Sequence, residues 1–312
     1  MDSETQAAAS FSELLITAGR RYLRHGPGIV AKGWLAERYL NPYLRDHPRE
    51  QVVDACFDAQ FFVNSRDLIQ RYIGLFSVWE PHMTAWLRQR LQPGDVFVDA
   101  GANIGYFAVL GSRLVGPTGS VVAVEASPVF HDMMVRNIDL NGCENVRTVN
   151  AAVSGTTETL TFVLASSANM GANSIVPYDG PAESTFAMSA VPLPDLLEPA
   201  DIAGARVIMI DVEGAEGRIM RGLAPALGDM RADVEIAVEV APDRMMQLGD
   251  DIEELLTIMG ENGFHTYRLP TDYRPGSYPR ALARPVPPRR WSGPITGETE
   301  LVFSRIDADA LT

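Results

Sequence analysis

The chain has 312 residues, 46% hydrophobic and 21% charged, which suits a globular protein with a full α/β core and room for an extra subdomain. A formal net charge of −14 argues against a nucleic-acid partner, because a polyanion needs a basic face; the group Arg284, Arg289 and Arg290 is short and reads as a solvated loop. Cys56 and Cys143 lie far apart, outside any CxxC spacing and in apolar contexts, so they read as two buried thiols rather than a disulfide or metal site. The amino terminus lacks the features of a signal peptide, and no apolar run approaches the ~20 residues of a membrane span. A cytoplasmic protein with no membrane partner is expected.

In chain order, Phe11 to Leu23 and Ile29 to Tyr39 show helical apolar spacing, which Asn41-Pro42 is expected to break. Val52 to Phe57 and Gln60 to Asn64 suggest a hairpin around Asp58-Ala59. Asp67 to Tyr72 and Pro81 to Leu91 read as helices, the second with proline in its first turn. Pro93-Gly94-Asp95 marks a boundary, after which strands and helices alternate. Val96 to Val98, Val121 to Val124 and Val146 to Val149 read as strands, separated by helices over Gly105 to Leu114 and Pro128 to Asn141. Glu158 to Val163 reads as a hairpin arm. Further strands are expected at Val207 to Ile210, Val234 to Val240, His265 to Leu269 and Leu301 to Ser304, with helices at Glu216 to Leu223 and Ile252 to Asn262. Pro270 to Gly297, rich in Pro, Gly and Arg, reads as an excursion before the last strand. This pattern specifies a mainly parallel sheet covered on both faces. Residues 1–92 form a helical and hairpin extension, a lid or substrate region, and residues 93–312 the catalytic domain.

Ligands of an open parallel sheet bind beyond the carboxyl ends of its strands, so the residues there carry the functional signal. The first strand of the alternating series ends in Asp99-Ala100-Gly101-Ala102-Asn103-Ile104-Gly105, a DxGxNxG run rather than the dinucleotide GxGxxG. Gly101 and Gly105 allow a sharp turn and a close approach to a ligand. The second strand ends at Glu125, a carboxylate placed to accept bonds from both ribose hydroxyls of an adenosine. Asn150-Ala151-Ala152, after the third, leaves room for an adenine ring. The fourth ends in Asp211-Val212-Glu213-Gly214-Ala215-Glu216. A helix macrodipole accounts for Glu216, but not for Asp211.

Taken together these residues resemble the FkbM family of methyltransferases. The likeness runs through Trp79-Glu80-Pro81, the segment from Pro93 to Tyr106, Val124-Glu125-Ala126-Ser127-Pro128, Arg136-Asn137-Ile138 and Asn141-Gly142. It continues through Asn150 to Ser154, Gly171 to Ser174, Val191-Pro192-Leu193 and Ile210 to Glu216. It implies a Rossmann-like class I methyltransferase fold with the last strand antiparallel, S-adenosylmethionine as methyl donor, and O-methylation of sugars, polyketides or related natural products. Two departures stand out. Met209 occupies a position where the family commonly has lysine, and Ala126-Ser127-Pro128 replaces the usual Pro-Asn or Pro-Ser.

The donor site is then expected to comprise Glu80, Asp99, Gly101, Asn103, Gly105, Glu125, Ala126, Ser127, Asn150, Ala151 and Asp211. A hydroxyl is a poor nucleophile, so a base is expected near the acceptor: Asp211 first, then Glu213 or Glu239. The same carboxylates suit Mg²⁺ as an alternative activator. His82 and His131 sit in helices without an obvious partner. Asn173 and Ser174 lie in a loop placed to cover the site, and Trp79, Trp86, Met133 and Met134 read as core. N-methylation of a small molecule, a nicotinamide-dependent oxidoreductase and a non-catalytic methyltransferase-like adaptor are the competing readings.

Overall fold

The structure, a computed structural model, describes residues 3–164, 173–174, 184–212 and 214–312. The chain opens with helices α1 (Ser3–His25), α2 (Ile29–Leu35) and α3 (Asn41–Asp46), then a hairpin of β1 (Glu50–Asp54) and β2 (Gln60–Asn64), then α4 (Leu68–Phe76) and α5 (Pro81–Arg90). Asn41-Pro42 does not end the second helical tract as expected. A π-helical turn at Ala36–Leu40 carries the chain from α2 into α3, loosening the hydrogen-bond ladder just before the proline that lacks an N–H.

Next come β3 (Val96–Ala100), α6 (Tyr106–Val115), β4 (Ser120–Glu125), α7 (Pro128–Leu140) and β5 (Val146–Asn150). A smaller sheet follows, built from β6 (Ala152–Ser154), β7 (Glu158–Leu164), β8 (Asn173–Ser174) and β9 (Ser184–Pro192). Here β7 pairs antiparallel with both β8 and β9, as its hairpin-like alternation suggested. Asn173 and Ser174 are thus a short strand rather than a loop, because their backbone pairs with Val163 and Leu164. The chain then runs through α8 (Pro199–Gly204), β10 (Ala205–Ile210), α9 (Glu216–Leu223), β11 (Glu235–Val240), α10 (Pro242–Gln247), α11 (Ile252–Glu261) and β12 (His265–Leu269). It closes with α12 (Tyr278–Ala283), β13 (Arg289–Arg290) and β14 (Thr299–Ser304). The excursion over 270–297 therefore carries structure of its own.

The main sheet has the order β13-β12-β14-β11-β10-β3-β4-β5. From β11 through β10, β3 and β4 to β5 every pairing is parallel, and β14 inserts antiparallel between β11 and β12. This is the Rossmann-like class I methyltransferase fold with its last strand reversed. Alternate residues of the strands feed two separate cores, as a pleated sheet buried on both faces requires. Phe97, Val121, Val207 and Ala237 face α6, α7 and the amino-terminal elements, whereas Val98, Val122, Ile208 and Ile236 face α9 and α11. Phe61, Tyr72, Ile73, Trp86 and Leu87 join the first of these cores, so residues on both sides of position 92 share one hydrophobic cluster.

Strand order reverses between β3 and β10, which lie side by side while their chains continue in opposite directions across the sheet. A crevice opens beyond their carboxyl ends, and there such folds bind ligands. Among the described residues no helix is long and apolar enough to cross a membrane.

Candidate active site

The turn after β3 is built on backbone bonds. Gly101 and Ala102 N–H groups donate to the Val124 carbonyl at 2.9 and 3.0 Å, and Gly105 N–H donates to Ala102 at 2.8 Å. Gly101, Asn103 and Gly105 adopt φ of +94°, +52° and +83°, the left-handed region that glycine and asparagine tolerate best. The sharp turn expected of Gly101 also has a packing reason. A Cβ there would overlap the Asp211 carbonyl oxygen, because Asp211 N–H donates to the Ala100 carbonyl at 2.9 Å and brings the two strand ends together. At Gly105 the close neighbour is the Met134 side chain. Both glycines serve packing between neighbouring elements.

Glu125 ends β4, nearly buried, with Oε2 accepting from Asn103 N–H at 2.8 Å and Oε1 from Ser127 N–H at 2.7 Å. Burial pushes its pKa up to about 7, against the pull of those bonds. Each oxygen keeps a further lone pair for a hydroxyl donor. Ser127 caps α7, its Oγ accepting from Phe130 N–H at 3.4 Å. Asn150 donates from its amide nitrogen to the carbonyls of Glu125 and Ala126 at 2.8 and 3.2 Å. It fastens the end of β4 to β5 beside half-buried Ala151.

Across the switch point lies a group of acids. Asp99 is buried, and burial followed by repulsion from Asp211 and Glu125 raises its pKa to about 8. Asp211, at the end of β10, is half-buried, and its carboxyl hydrogen-bonds that of Glu239 near the end of β11. Burial raises the pKa of both, and repulsion from Asp211, Glu300 and Glu80 adds to the shift at Glu239. Glu300 of β14 is the register partner of Glu239, buried and likewise shifted upward, mainly by burial. Glu80 stands at the amino-terminal cap of α5 with φ of +41°, a strained conformation for a side-chain-bearing residue. Burial and then Asp211 raise its pKa to about 8.

Tyr273 ties this group together. Its hydroxyl lies 2.8 Å from Glu80 Oε1 and 2.8 Å from Glu239 Oε1. A phenol donates one proton, so bridging two carboxyls requires one of them to be protonated and to donate to the phenol oxygen. The raised pKa values of both acids agree with this. Tyr273 is held by stacking on Trp79, 5.3 Å between ring centroids and 5° between planes, and by the Tyr72 hydroxyl donating to its carbonyl at 2.6 Å. Trp79 thus packs in the core as expected, and one face of it also forms the shelf for Tyr273.

Sequence reasoning missed Tyr273 because it lies in an aperiodic stretch, and Glu300 because it lies inside the closing strand. The acids at the ends of β3, β4, β10 and β11 were identifiable from where apolar runs stop. Glu216 stands in the first turn of α9, where the macrodipole favours an acid. It is 1% exposed, Oε1 accepts from Gly214 N–H at 2.7 Å, and burial lifts its pKa to about 8. Glu213 lies outside the described residues. His82 does have a partner, since its Nδ1 accepts from Val286 N–H at 3.1 Å. Cys143 is buried as expected, but Cys56 is exposed, placed by the β1–β2 turn.

Among the described residues no group of three or more His, Cys, Asp and Glu side chains is arranged to hold a metal ion. A cationic organic ligand fits better. Glu80 Oε2, Asp99 Oδ2 and Glu300 Oε1 are buried without a hydrogen-bond partner, a costly state that a positive ligand relieves. S-adenosylmethionine, with a sulfonium and an ammonium centre beside a ribose, matches both these acids and Glu125.

Comparisons with known proteins agree. A family model described as the methyltransferase FkbM domain matches residues 99–266, more than half of the chain. Protein-L-isoaspartate O-methyltransferase 1 of Archaeoglobus fulgidus is 30% identical over 132 residues, covering 42% of this chain and 53% of that protein. The chain thus spans about half the length of that relative. Similar solved structures include a putative rRNA-methylase from Clostridium thermocellum, 11% identical, covering 72% of this chain and 94% of that one at a TM-score of 0.43. Another is M. jannaschii TYW2 in complex with AdoMet, 15% identical, covering 82% and 87% at 0.40. At these scores the likeness adds nothing to the strand order described above. The family match, laid over the strand ends that bear Asp99, Glu125, Asp211 and Glu239, shows that this chain belongs to the FkbM methyltransferase family.

Proposed function

We propose that the chain is an S-adenosylmethionine-dependent methyltransferase that O-methylates a hydroxyl of a small molecule such as a sugar, a polyketide or another natural product. The observation that carries this reading is the hydrogen-bonded line Asp211–Glu239–Tyr273–Glu80 at the switch point. S-adenosylmethionine supplies, when bound, a methyl group activated by a sulfonium.

The rest is done by the chain. Glu125, oriented by the Asn103 and Ser127 amides, takes the ribose hydroxyls. Ala126, Ser127, Asn150 and Ala151 flank the adenine, and the turn Gly101-Ala102-Asn103-Ile104-Gly105 closes over the nucleoside. Asp99 and Glu80, each with an unpartnered buried oxygen, hold the donor's positive centres. Asp211 and Glu239 share a hydrogen bond, so one carboxyl of the pair holds the proton while the other is free to accept one. That second carboxylate takes the proton of the acceptor hydroxyl as it attacks, a general-base role typically worth about 10²–10⁴-fold in rate. Tyr273 fixes Glu239 and passes its charge state to Glu80.

The test has two readouts. Adenosylhomocysteine is expected to raise the melting temperature of the purified protein, whereas NADH is not. With ¹³C-methyl donor and a panel of hydroxylated acceptors, the labelled carbon is expected to appear as a methyl ether. Label on nitrogen would replace O-methylation, and absence of stabilisation by adenosylhomocysteine would remove the reading altogether.

A further inference from the structure

A cavity of about 280 Å³ adjoins the acid group, bounded by the start of α5, the segment after β12 and α12. Glu80, assigned above to the donor, and Tyr273, whose hydroxyl is bonded to Glu239, line it, so it opens beside the acid group. Its volume is near the lower end for small-molecule sites, about 300–1,000 Å³. Much of the wall is apolar (Pro81, Met83, Leu269, Tyr278 and Val286 among them), with a few polar groups set into it.

Beside the acids Glu80 and Asp272, those polar groups include the donors His82, Arg280 and Arg284. Arg280 and Arg284 stand four positions apart at α12 and its carboxyl cap, so they project from one helical face, and both line the cavity. In this acidic chain most arginines are tied to a carboxylate, a carbonyl or a ring, and Arg274, in the loop that leads into α12, is clamped on Asp272. Arg280 and Arg284 side chains have no such partner among the described residues. His82, also on the wall, uses Nδ1 to accept from Val286 N–H, so its neutral ring carries the proton on Nε2. Glu80 lines the same cavity, and burial and Asp211 raise its pKa to about 8.

We infer that this cavity receives the acceptor, and that the acceptor carries an anionic group, a carboxylate or a phosphate or sulfate ester, held by Arg280 and Arg284. This rests on the methyl-transfer reading and narrows its substrate class. A neutral sugar or macrolide leaves two arginines of a net-negative protein facing a cavity with nothing to bind. An anion accepts from both guanidinium groups, which are suited to bidentate contact with carboxylate or phosphate. The apolar wall then covers the body of the molecule, and the strand-end acids repel the anion, which sets its orientation with the hydroxyl toward Asp211.

The experiment uses the full chain saturated with adenosylhomocysteine. Inorganic phosphate is titrated in and followed by ³¹P line width, and malonate is used as a competing carboxylate. Saturable phosphate binding, displaced by malonate and weakened at least tenfold in R280Q/R284Q, is expected. Arg280→Lys with Arg284→Lys restores part of it, since charge survives but the bidentate fork does not. Both arginines are exposed, and stabilisation by adenosylhomocysteine reports directly that the variants are folded with the donor site intact. Phosphate binding that is non-saturable, or equal in wild type and R280Q/R284Q, overturns the inference while leaving methyl transfer standing. Failure of adenosylhomocysteine to stabilise the wild-type chain instead overturns the reading beneath it.

Discussion

Glu235 and Glu239 sit at opposite ends of one strand, β11, and their surroundings differ in kind. Glu235, fully buried, meets Arg90 at 2.8 Å and Arg206 at 3.4 Å, and Ser304 Oγ donates to it at 3.1 Å. Glu239 faces Glu300 across the sheet, shares a proton with Asp211 and touches a phenol. The lower end of the sheet therefore carries an acid neutralised within the protein. At the upper end carboxyls are gathered, and burial and mutual repulsion raise their pKa values. A folded chain keeps such an arrangement where a ligand completes it, and a positively charged methyl donor is the ligand we propose.

The contrast can be broken most severely at the chemistry. Asp211→Asn removes the proton acceptor and is expected to lower kcat by about 10²–10⁴-fold with the fold intact, read by adenosylhomocysteine release and circular dichroism. Retained turnover would move the base elsewhere. Glu235→Gln strands Arg90 and Arg206 and is expected to cost about 3–5 kcal/mol of stability in urea unfolding, although it lies far from the crevice. At Glu125, glutamine weakens charge-assisted bonds worth about 1.5–3 kcal/mol, so adenosylhomocysteine affinity is expected to fall about 10–100-fold by calorimetry. The smallest effect is at Glu300. Replacing it with glutamine removes a like charge opposite Glu239 and is expected to leave the ligand-free protein unchanged or up to about 1 kcal/mol more stable. If Glu300→Gln destabilises as much as Glu235→Gln, the two ends are not different in kind.

How much of this was readable beforehand follows from where each group sits. Asp99, Glu125, Asp211 and Glu239 end apolar β runs, and a buried strand announces its own terminus, so both the sheet and these acids were legible. The contact of Gly101 with the Asp211 carbonyl was not, because a tight turn and a close approach between two strand ends leave the same signature in sequence. Tyr273 and the cavity donors Arg280 and Arg284 lie in a Pro- and Arg-rich stretch without periodicity, and only tertiary packing on Trp79 and Tyr72 fixes their place. At Glu216 the macrodipole explains an acid at a helix start, and nothing in the sequence marks it as buried. Its burial depends on neighbours far away in the chain. The small sheet of β6 to β9 was only partly legible, since β9, Ser184–Pro192, mixes polar and apolar residues without clear alternation.

Proton linkage gives the most direct test. Glu80, Asp99 and Glu216 ordinarily titrate near 4.5, 3.8 and 4.5 but are raised to about 8 in the folded protein. The folded state thus binds more protons than the unfolded one between about pH 4 and 8, and ligand-free stability is expected to fall as pH rises through that window. A cationic donor favours the ionised acids, so its affinity is expected to move the opposite way. Calorimetric titration of S-adenosylmethionine at pH 6, 7 and 8, in buffers of different ionisation enthalpy, reads this directly. Proton release on binding, with affinity climbing toward pH 8, is the predicted result; affinity that is flat with pH and accompanied by no proton release would contradict a donor received by buried carboxyls.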